Sequence, residues 1–224
     1  MKTEVEGDIR PDAPIAATVA AAENQLRPDL QIVADWIAPG SRVLDIGCGN
    51  GELLAYLGKH KGVDGRGIEL RRAKVNSCVS AGLSVIRGDA NKDLMLYPTG
   101  SFDYVVLTQT LQRVEQPREV LLELIRIGER AIVSIPNFGY WRNRLDLMLH
   151  GRMPVTEHLD EPWYSTKNIH LCTIRDFTDL TEMMGLQVEQ EVVLGRGGSV
   201  TRPTARSRRA NIFGEQAIFL LKGG

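Results

Sequence analysis

The sequence predicts an α/β fold with a doubly wound, mostly parallel sheet of seven strands and helices on both faces. Short apolar runs typical of strands alternate with longer segments in which apolar residues recur at helical spacing. The run FDYVVL at 102–107 is apolar almost throughout, as in strands that are covered on both faces. Strands that alternate with helices favour a parallel sheet, and such sheets bind ligands beyond the carboxyl ends of their strands. Functional residues are therefore expected at those ends.

The order of the elements follows from these patterns and from the residues that start or stop them. The seven predicted strands cover 42–46, 65–70, 83–87, 102–107, 131–135, 188–194 and 211–221. Pro28 and Pro117 suit the first turn of a helix, and Thr173-Ile174-Arg175-Asp176 has the spacing of a capping box. Helices are predicted from Pro28 to Pro39, after Gly51, over 71–81, from Pro117 and between Thr173 and Gly185. A long loop rich in glycine and arginine, 195–209, separates the last two strands.

Length and composition predict one domain. We expect residues 1–14 to form a flexible N-terminal arm, 15–224 to form the domain, and the aromatic-rich stretch 137–172 to act as a lid or a partner-binding segment. The net charge of −1 argues against a general attraction to nucleic acid or membranes. No apolar run approaches the ~20 residues of a membrane span. The charged N-terminus does not resemble a signal peptide. Three scattered cysteines suit a reducing compartment, so we expect a cytoplasmic protein without a structural metal site.

The most specific motif is the sequence DIGCGNG at 45–51, directly after the first predicted strand. Its glycines have the spacing G-x-G-x-G, whereas a dinucleotide loop has G-x-G-x-x-G and presents a helix N-terminus to a pyrophosphate. Asp45, two residues before the first glycine, would repel an anion but could accept a hydrogen bond from a ligand's ammonium group. The motif therefore favours a ligand with a cationic amino-acid moiety and a sulfonium, S-adenosylmethionine (SAM). Its candidate cofactor-binding residues are Asp45, Gly47, Cys48, Gly49, Asn50 and Gly51.

Further candidates lie at the carboxyl ends of the next three strands. Glu69 can accept from both ribose hydroxyls, as the acid of a dinucleotide site does. Asp89 can accept from an adenine amino group while the backbone of Ala90 donates. The cofactor-binding candidates at these strand ends are Glu69, Leu70, Asp89, Ala90, Thr108 and Gln109. Asp103, near the start of its strand, suits a structural role as well as a functional one, and Cys48 suits a small loop residue rather than a catalytic thiol.

These motifs resemble those of two nested protein families. The glycine loop, Glu69, the Gly88-Asp89-Ala90 turn and the FDYVVL strand are similar to the class I SAM-dependent methyltransferases over residues 28–136. VLDIGCGNGELL, DYVVLTQTLQ, PNFGYWRNRLDLMLHGRMP and NIHLCTIRDF resemble the methionine-biosynthesis MetW family across nearly the whole chain. The resemblance implies a Rossmann-like sheet with an antiparallel last strand, a SAM site, and association with a homoserine O-acyltransferase, MetX. The arginine-rich loop is longer than the family's usual segment.

Three functions are compatible with these features. The protein is either an accessory or regulatory subunit of the acyltransferase that senses SAM, or an active methyltransferase on an unidentified acceptor. A nucleic-acid methyltransferase is disfavoured, since Thr108-Gln109-Thr110-Leu111 stands where an N/D-P-P-Y motif would follow the fourth strand.

The segment 137–172 supplies the candidates for the acceptor side and for a partner. His158, Tyr164 and His170 are weak catalytic candidates, and for His170 and Tyr164 structural hydrogen bonds are the favoured explanation. Asn137 and Trp163 are further substrate-side candidates. The candidate anchors for a protein partner are Trp141, Arg142, Arg144, Arg152 and Trp163.

Overall fold

The computed structural model describes residues 26–153, 169–201 and 204–223. The predicted arm, residues 1–14, lies outside the described residues, as do His158, Trp163 and Tyr164.

The described residues form one mixed sheet, which confirms the predicted fold class. Its strand order is β3-β2-β1-β4-β5-β8-β6-β7. The first five strands run parallel, and β8 is antiparallel to both of its neighbours, β5 and β6. The two-residue β7 adds a short eighth strand at the edge, beyond the seven predicted. The strands are β1 (Arg42–Ile46), β2 (Asp64–Glu69), β3 (Ser84–Arg87), β4 (Phe102–Thr108), β5 (Gly128–Pro136), β6 (Gln187–Leu194), β7 (Val200–Thr201) and β8 (Gln216–Lys222).

The helices begin where the sequence supplies a start signal. Pro117 occupies the first turn of its helix as predicted. The predicted capping box is present: the Thr173 hydroxyl accepts from the Asp176 amide at 3.2 Å, and the Asp176 carboxylate accepts from the Thr173 amide at 2.9 Å. The described helices are α1 (Pro28–Trp36), α2 (Glu52–Lys61), α3 (Arg72–Ser80), α4 (Pro117–Ile127), α5 (Trp141–His150), α6 (Ile174–Met183) and α7 (Arg208–Phe213).

Both faces of the central strands are covered. Successive residues of β4 alternate between two apolar clusters: Val105 and Leu107 pack with residues of α4 and α6, whereas Tyr104 and Val106 pack with residues of α1 and α2. All four side chains are buried. This explains why β4 is apolar without alternation in the sequence.

The last predicted strand begins later than its sequence suggested. Residues 211–213 belong to α7, and β8 starts only at Gln216. The Ser207 hydroxyl accepts from the Ala210 amide at 3.0 Å and caps this helix, and the Ala210 side chain is buried. A local cap and one buried contact therefore override the apolar pattern of Asn211-Ile212-Phe213. The predicted loop 195–209 is also partly structured, because it contains the turn Arg196–Gly198, β7 and the start of α7.

Candidate functional site

The loop between β1 and α2 depends on its three glycines for different reasons. All three have positive φ: 73° at Gly47, 60° at Gly49 and 79° at Gly51. A Cβ on Gly47 would lie 2.7 Å from the Thr110 hydroxyl oxygen. A Cβ on Gly51 would lie 2.3 Å from a methyl of Leu83. At Gly49 the nearest atom to such a Cβ is the ammonium nitrogen of Lys74, at 3.7 Å, so this glycine leaves open space.

That open space belongs to a cleft of about 700 Å³ at the carboxyl ends of β1 to β4. Of the twelve residues that the sequence predicts for the cofactor, eleven line it: Asp45, Gly47, Cys48, Gly49, Asn50, Glu69, Leu70, Asp89, Ala90, Thr108 and Gln109. Gly51 does not, because it is buried against Leu83 and Cys78 behind the loop. The structure therefore brings together residues from four strand ends that lie up to 64 positions apart in the sequence.

Glu69 braces the glycine loop as well as facing the cleft. One carboxylate oxygen accepts from the Gly49 amide at 3.0 Å, and the other accepts from the Arg71 amide at 2.9 Å. The residue is buried. A carboxylate offers about four acceptor sites, so two remain for hydroxyl donors of a ligand. Glu69 consequently supports both the loop's shape and any ligand bound to it.

Asp45 brings a buried, unpaired acceptor atom to the cleft. Its side chain is 2% exposed, and its Oδ1 atom has no hydrogen-bond partner among the described residues. Burial, with a smaller contribution from the negative charge of Glu69, raises the pKa of Asp45 from 3.8 to about 7. Burying an unpaired acceptor costs free energy. The site is therefore ready for a donor, and a cationic donor would favour the ionised carboxylate.

At the β3 end, Asp89 and its neighbours form a polar turn beside an apolar side chain. Asp89 Oδ1 accepts from the amide and from the side chain of Asn91, both at 2.9 Å. The Asp89 amide donates to Asp93 at 2.7 Å. Leu70, 58% exposed, also lines the cleft. An apolar side chain next to carboxylate and backbone groups suits a flat, polar-edged ring.

Gln109 does not present its side chain as the sequence suggested. Its side-chain amide donates to Asp29 at 3.2 Å and to Gln216 at 3.3 Å. Its backbone amide donates to the carbonyl and the hydroxyl of Ser134, at 3.1 and 3.0 Å. Gln109 therefore fixes the wall of the cleft, and its side chain is committed to other protein groups.

Sequence reasoning missed part of the cleft's lining. These additional residues are Arg27, Leu30, Ile46, Glu52, Leu53, Ile68, Arg71, Lys74, Gly88, Asn91, Thr110, Arg113 and Val114. Those adjacent to predicted residues, such as Arg71, could have been found from their position at a strand end. Arg27 and Leu30 could not, because they come from α1 and its start, before the first strand.

The candidates on the acceptor side do not form a catalytic set among the described residues. The Asn137 side chain donates to the carbonyls of Asn211 and Gly214, at 3.0 and 2.7 Å, and accepts from the amides of Gly139 and Ile174, at 2.9 and 3.3 Å. All its hydrogen-bonding capacity is used, so Asn137 joins neighbouring segments and is not a substrate-binding group.

His170 and Cys48 also differ from what a catalytic role requires. His170 is exposed, donates its backbone amide to the Gln112 carbonyl at 2.9 Å, and is not among the residues that line the cleft. Burial, followed by the charge of Asp45, raises the pKa of the Cys48 thiol well above its usual range. A thiol held in its neutral form is a poor nucleophile, which agrees with the role expected for Cys48 as a small loop residue.

The family to which the chain belongs follows from its match to a protein-family model. The model of "Methionine biosynthesis protein MetW" matches residues 27–221. The chain belongs to the MetW family. A curated relative of this MetW chain is the bifunctional methionine biosynthesis protein MetXA/MetW of Rhodopirellula baltica, 36% identical over 176 residues. The match covers 75% of the MetW chain and 28% of that longer relative.

Solved structures show which fold this MetW chain has. It is similar to a SAM-dependent methyltransferase from Archaeoglobus fulgidus, with a TM-score of 0.62 and 16% identity, covering 93% of the MetW chain and 94% of the other. It is also similar to a SAM-dependent methyltransferase from Thermotoga maritima, with a TM-score of 0.61 and 17% identity over 88% of each chain. The fold is that of the class I SAM-dependent methyltransferases, as the motifs indicated.

The described ranges were also compared with the requirements of a membrane-spanning helix and of a metal site. No helix within 26–153, 169–201 and 204–223 is long and apolar enough to span a membrane. In the same ranges, no group of three or more His, Cys, Asp or Glu side chains is arranged to hold a metal ion.

Proposed function

We propose that this MetW protein binds SAM in the cleft at the ends of β1 to β4. The observation that carries the proposal is Asp45, a buried carboxylate that lines the same cleft as ten other predicted residues and whose Oδ1 has no partner within the described part of the chain. The amino-acid end of SAM supplies the ammonium group that such a carboxylate needs. A dinucleotide would place a pyrophosphate near Asp45, whose carboxylate would repel it.

The other cleft residues suit the nucleoside part of SAM. Glu69 would accept from the ribose hydroxyls through its remaining acceptor sites, and Asp89 would accept from the adenine amino group. Leu70 offers its exposed apolar surface to a face of the adenine ring. These roles follow the order β1, β2, β3 of the strand ends, so a single extended ligand can reach all of them.

We further propose that the protein acts as an accessory or regulatory subunit of a homoserine O-acyltransferase in the cytoplasm, with SAM as the signal. Bound SAM carries a methyl group activated by its sulfonium. Two of the acceptor-side candidates among the described residues are nevertheless not available beside the cleft, since the Asn137 amide is saturated and His170 does not line the cleft. The relative in which MetXA and MetW are fused supports a partnership between the two activities.

The exposed surface of helix α5 favours the proposal that the protein binds a partner. None of its residues is buried, although it carries several large apolar side chains. Exposed apolar side chains on and just after α5 are Trp141, Leu145, Leu147, Met148, Leu149 and Met153. Exposed large apolar side chains in such number are typical of interaction sites, and the neighbouring Arg142 and Arg152 add a residue type common at interface cores.

A direct test begins with the purified protein and calorimetry. SAM and S-adenosylhomocysteine are expected to bind, and NAD is not. Binding of NAD without binding of SAM would refute the cofactor proposal. The second stage mixes the protein with a homoserine O-acyltransferase and measures complex formation and acyl transfer with and without SAM. The partner proposal predicts a complex at micromolar concentration and an activity that depends on SAM; identical acyl transfer with and without the protein contradicts it.

The alternative is an active methyltransferase on an unidentified acceptor. The fold of its structural neighbours favours this alternative. Its test is transfer of a radiolabelled methyl group from SAM to a cell extract or to the acyltransferase itself. Labelling that disappears in a Glu69→Ala variant would favour the enzyme over the accessory subunit.

A further inference from the structure

Helix α5 carries an apolar face that the rest of the protein leaves uncovered. None of its ten residues is buried, and only Asn143 and Asp146 are half-buried. At 3.6 residues per turn, or about 100° per residue, Asn143 and Asp146 lie within about 60° of each other around the helix axis. The side of α5 that is nearest to the protein is therefore polar.

The large apolar side chains lie on the opposite side of the helix. Four of them, at the spacing i, i+4, i+7 and i+8, fall within about 100° of one another around the axis. They are Trp141, Leu145, Met148 and Leu149, which we call the apolar stripe. Their exposed fractions run from 38% at Leu145 to 73% at Met148. A helix of a folded domain normally turns such a stripe toward the core, so here the stripe is free to contact another molecule.

Two arginines border the apolar stripe, one on each side. Arg142 lies about 20° beyond one edge of the stripe, and Arg144 lies about 40° beyond the other. The Arg142 guanidinium stands over the Trp141 ring, 6.0 Å from the ring centroid, and the Arg144 guanidinium donates to the Gly139 carbonyl. These contacts hold both charged side chains close to the helix, so the stripe has a positively charged border on either side.

The charges of this border are not balanced by the protein itself. Asp146 is the one acid of α5, and its carboxylate lies 2.8 Å from Nδ1 of His150 on the same helix. Neither Arg142 nor Arg144 forms an ion pair with a carboxylate within 26–153, 169–201 and 204–223. A molecule that covers the stripe therefore meets two uncompensated guanidinium groups.

From this arrangement we propose that α5 inserts into an apolar groove of the partner protein and that acidic side chains of the partner border that groove. The apolar stripe is buried in the groove, which is how amphipathic helices bind folded proteins. Arg142 and Arg144 pair with carboxylates on either side, since the planar donors of a guanidinium match a carboxylate. The inference rests on the proposed function, because it assigns the surface that recognises the acyltransferase.

Charge argues against two other occupants of the apolar stripe. In a symmetric dimer, a second copy of this chain would bring the same surface to the interface, so four arginines would meet there while Asp146 lies on the far side of each helix. A membrane also accepts an amphipathic helix, but a net charge of −1 gives the protein no general attraction to anionic lipid. A groove with an acidic border buries the stripe and neutralises the arginines together.

The experiment measures the dissociation constant of the complex between the full chain and a homoserine O-acyltransferase by surface plasmon resonance. Leu149→Asp places a carboxylate in the apolar stripe and should weaken the complex by about tenfold or more, because the groove would bury an unpaired charge. The matched control is Leu147→Asp. Leu147 is the same residue type on the same helix, is 47% exposed, and lies about 100° outside the stripe. This variant should bind within about threefold of the wild type.

The acidic border of the groove is tested by charge reversal and by salt. Arg142→Glu should weaken the complex by about tenfold or more, and the wild-type complex should weaken as the salt concentration rises from about 0.05 M to about 0.5 M. Arg118→Glu makes the same change of charge at an exposed arginine in the first turn of α4, and it should leave the affinity within about threefold of the wild type. A complex that responds neither to Arg142→Glu nor to salt would rule out the acidic border.

The outcomes separate this inference from the proposed function. If the wild-type protein forms no complex with the acyltransferase, the partner proposal fails and the groove with it. If the complex forms but Leu149→Asp binds as tightly as Leu147→Asp, the assignment of the stripe is wrong and the partnership survives. Two further results would overturn the groove. One is sedimentation of the wild type, but not of Leu149→Asp, with anionic phospholipid vesicles. The other is a wild-type dimer in ultracentrifugation that Leu149→Asp dissociates.

Discussion

The cleft at the ends of β1 to β4 leaves polar acceptors unpaired, whereas the connection after β5 pairs its polar groups and leaves large apolar side chains exposed. In the cleft, Asp45 is buried with an unpaired acceptor, and Glu69 keeps acceptor sites open. After β5, the Asn137 side chain is saturated by the protein itself, while α5 leaves its large apolar residues exposed. The first region suits the small polar ligand that we propose. The second offers no such site among its described residues but presents the apolar surface that we propose for a partner protein.

The largest effect is expected from the substitution of Asn137, which should lower the stability of the fold and leave SAM binding unchanged. Asn137→Ala removes four hydrogen bonds and leaves buried amides and carbonyls unpaired, so we expect the free energy of unfolding to fall by about 2–4 kcal/mol. Urea denaturation measures it. SAM affinity should stay within twofold. Asn143→Ala is the control, since its bond to the Asn137 carbonyl is long, 3.5 Å, and half-buried. A loss of SAM affinity without a loss of stability would show that Asn137 belongs to the ligand site after all.

Glu69→Ala should weaken SAM by about 10- to 100-fold, from about 1.5–3 kcal/mol of charged hydrogen bonding. Because Glu69 also holds the Gly49 and Arg71 amides, a moderate loss of stability should accompany this change. Calorimetry and urea denaturation separate the two effects. Glu119→Ala, at an exposed acid in the first turn of α4, should alter neither. An unchanged dissociation constant for SAM would remove Glu69 from the site.

The affinity for SAM should rise by about tenfold or more between pH 5.5 and 7.5. The pKa of Asp45 is raised to about 7, so below that pH its carboxyl is protonated and cannot pair with an ammonium. Asp45→Asn should weaken the binding of SAM and abolish the dependence of this affinity on pH.

The stability of the ligand-free protein should depend on pH in the opposite direction from the affinity for SAM. The folded protein binds this proton more tightly than the unfolded chain, so the contribution of Asp45 to stability is complete below pH 3.8 and is lost as pH rises through 7.

The double variant Trp141→Ala/Met148→Ala should weaken a complex with the acyltransferase by about tenfold or more, as expected where exposed apolar anchors become buried. SAM binding should not change. Surface plasmon resonance against the immobilised acyltransferase measures the first quantity. Met183→Ala, an equally exposed methionine at the end of α6, is the control. An unaffected complex would move the partner surface away from α5.

The smallest effect is expected at Asp103, which lies at the amino end of β4, opposite the cleft. Its carboxylate accepts from the Arg42 amide at 2.7 Å and from the Arg42 guanidinium at 3.2 Å. These contacts hold the pKa of Asp103 below its usual value, the Arg42 amide contributing most. Asp103→Ala should cost about 0.5–1.5 kcal/mol at pH 7, and this cost should shrink as the pH falls below 3.8 and through the lowered pKa of Asp103. A change in SAM affinity beyond twofold would contradict this structural assignment.

The cleft was predictable to the extent that its residues follow strands directly. Residues 45–50, Glu69, Asp89 and Thr108 all stand at a strand's carboxyl end, and parallel strands bring those ends to one edge of the sheet. Gly51 belongs to the same motif, yet it serves packing, because only the position of Leu83 reveals which way its missing side chain would point. Arg27 escaped notice since nothing in the local sequence links the start of α1 to the end of β4.

The sequence by itself determined the alternation of strands and helices up to β5, the glycine loop, the capping box at Thr173 and the family. Each depends on local periodicity or on a contiguous motif, and local signals need no knowledge of distant contacts. Only the tertiary structure decided that Asp45 Oδ1 lacks a partner among the described residues, that Asn137 is saturated, and that α5 has no buried residue. Hydrogen-bond satisfaction and burial depend on groups far away along the chain, so they are settled only when the sheet brings those groups together.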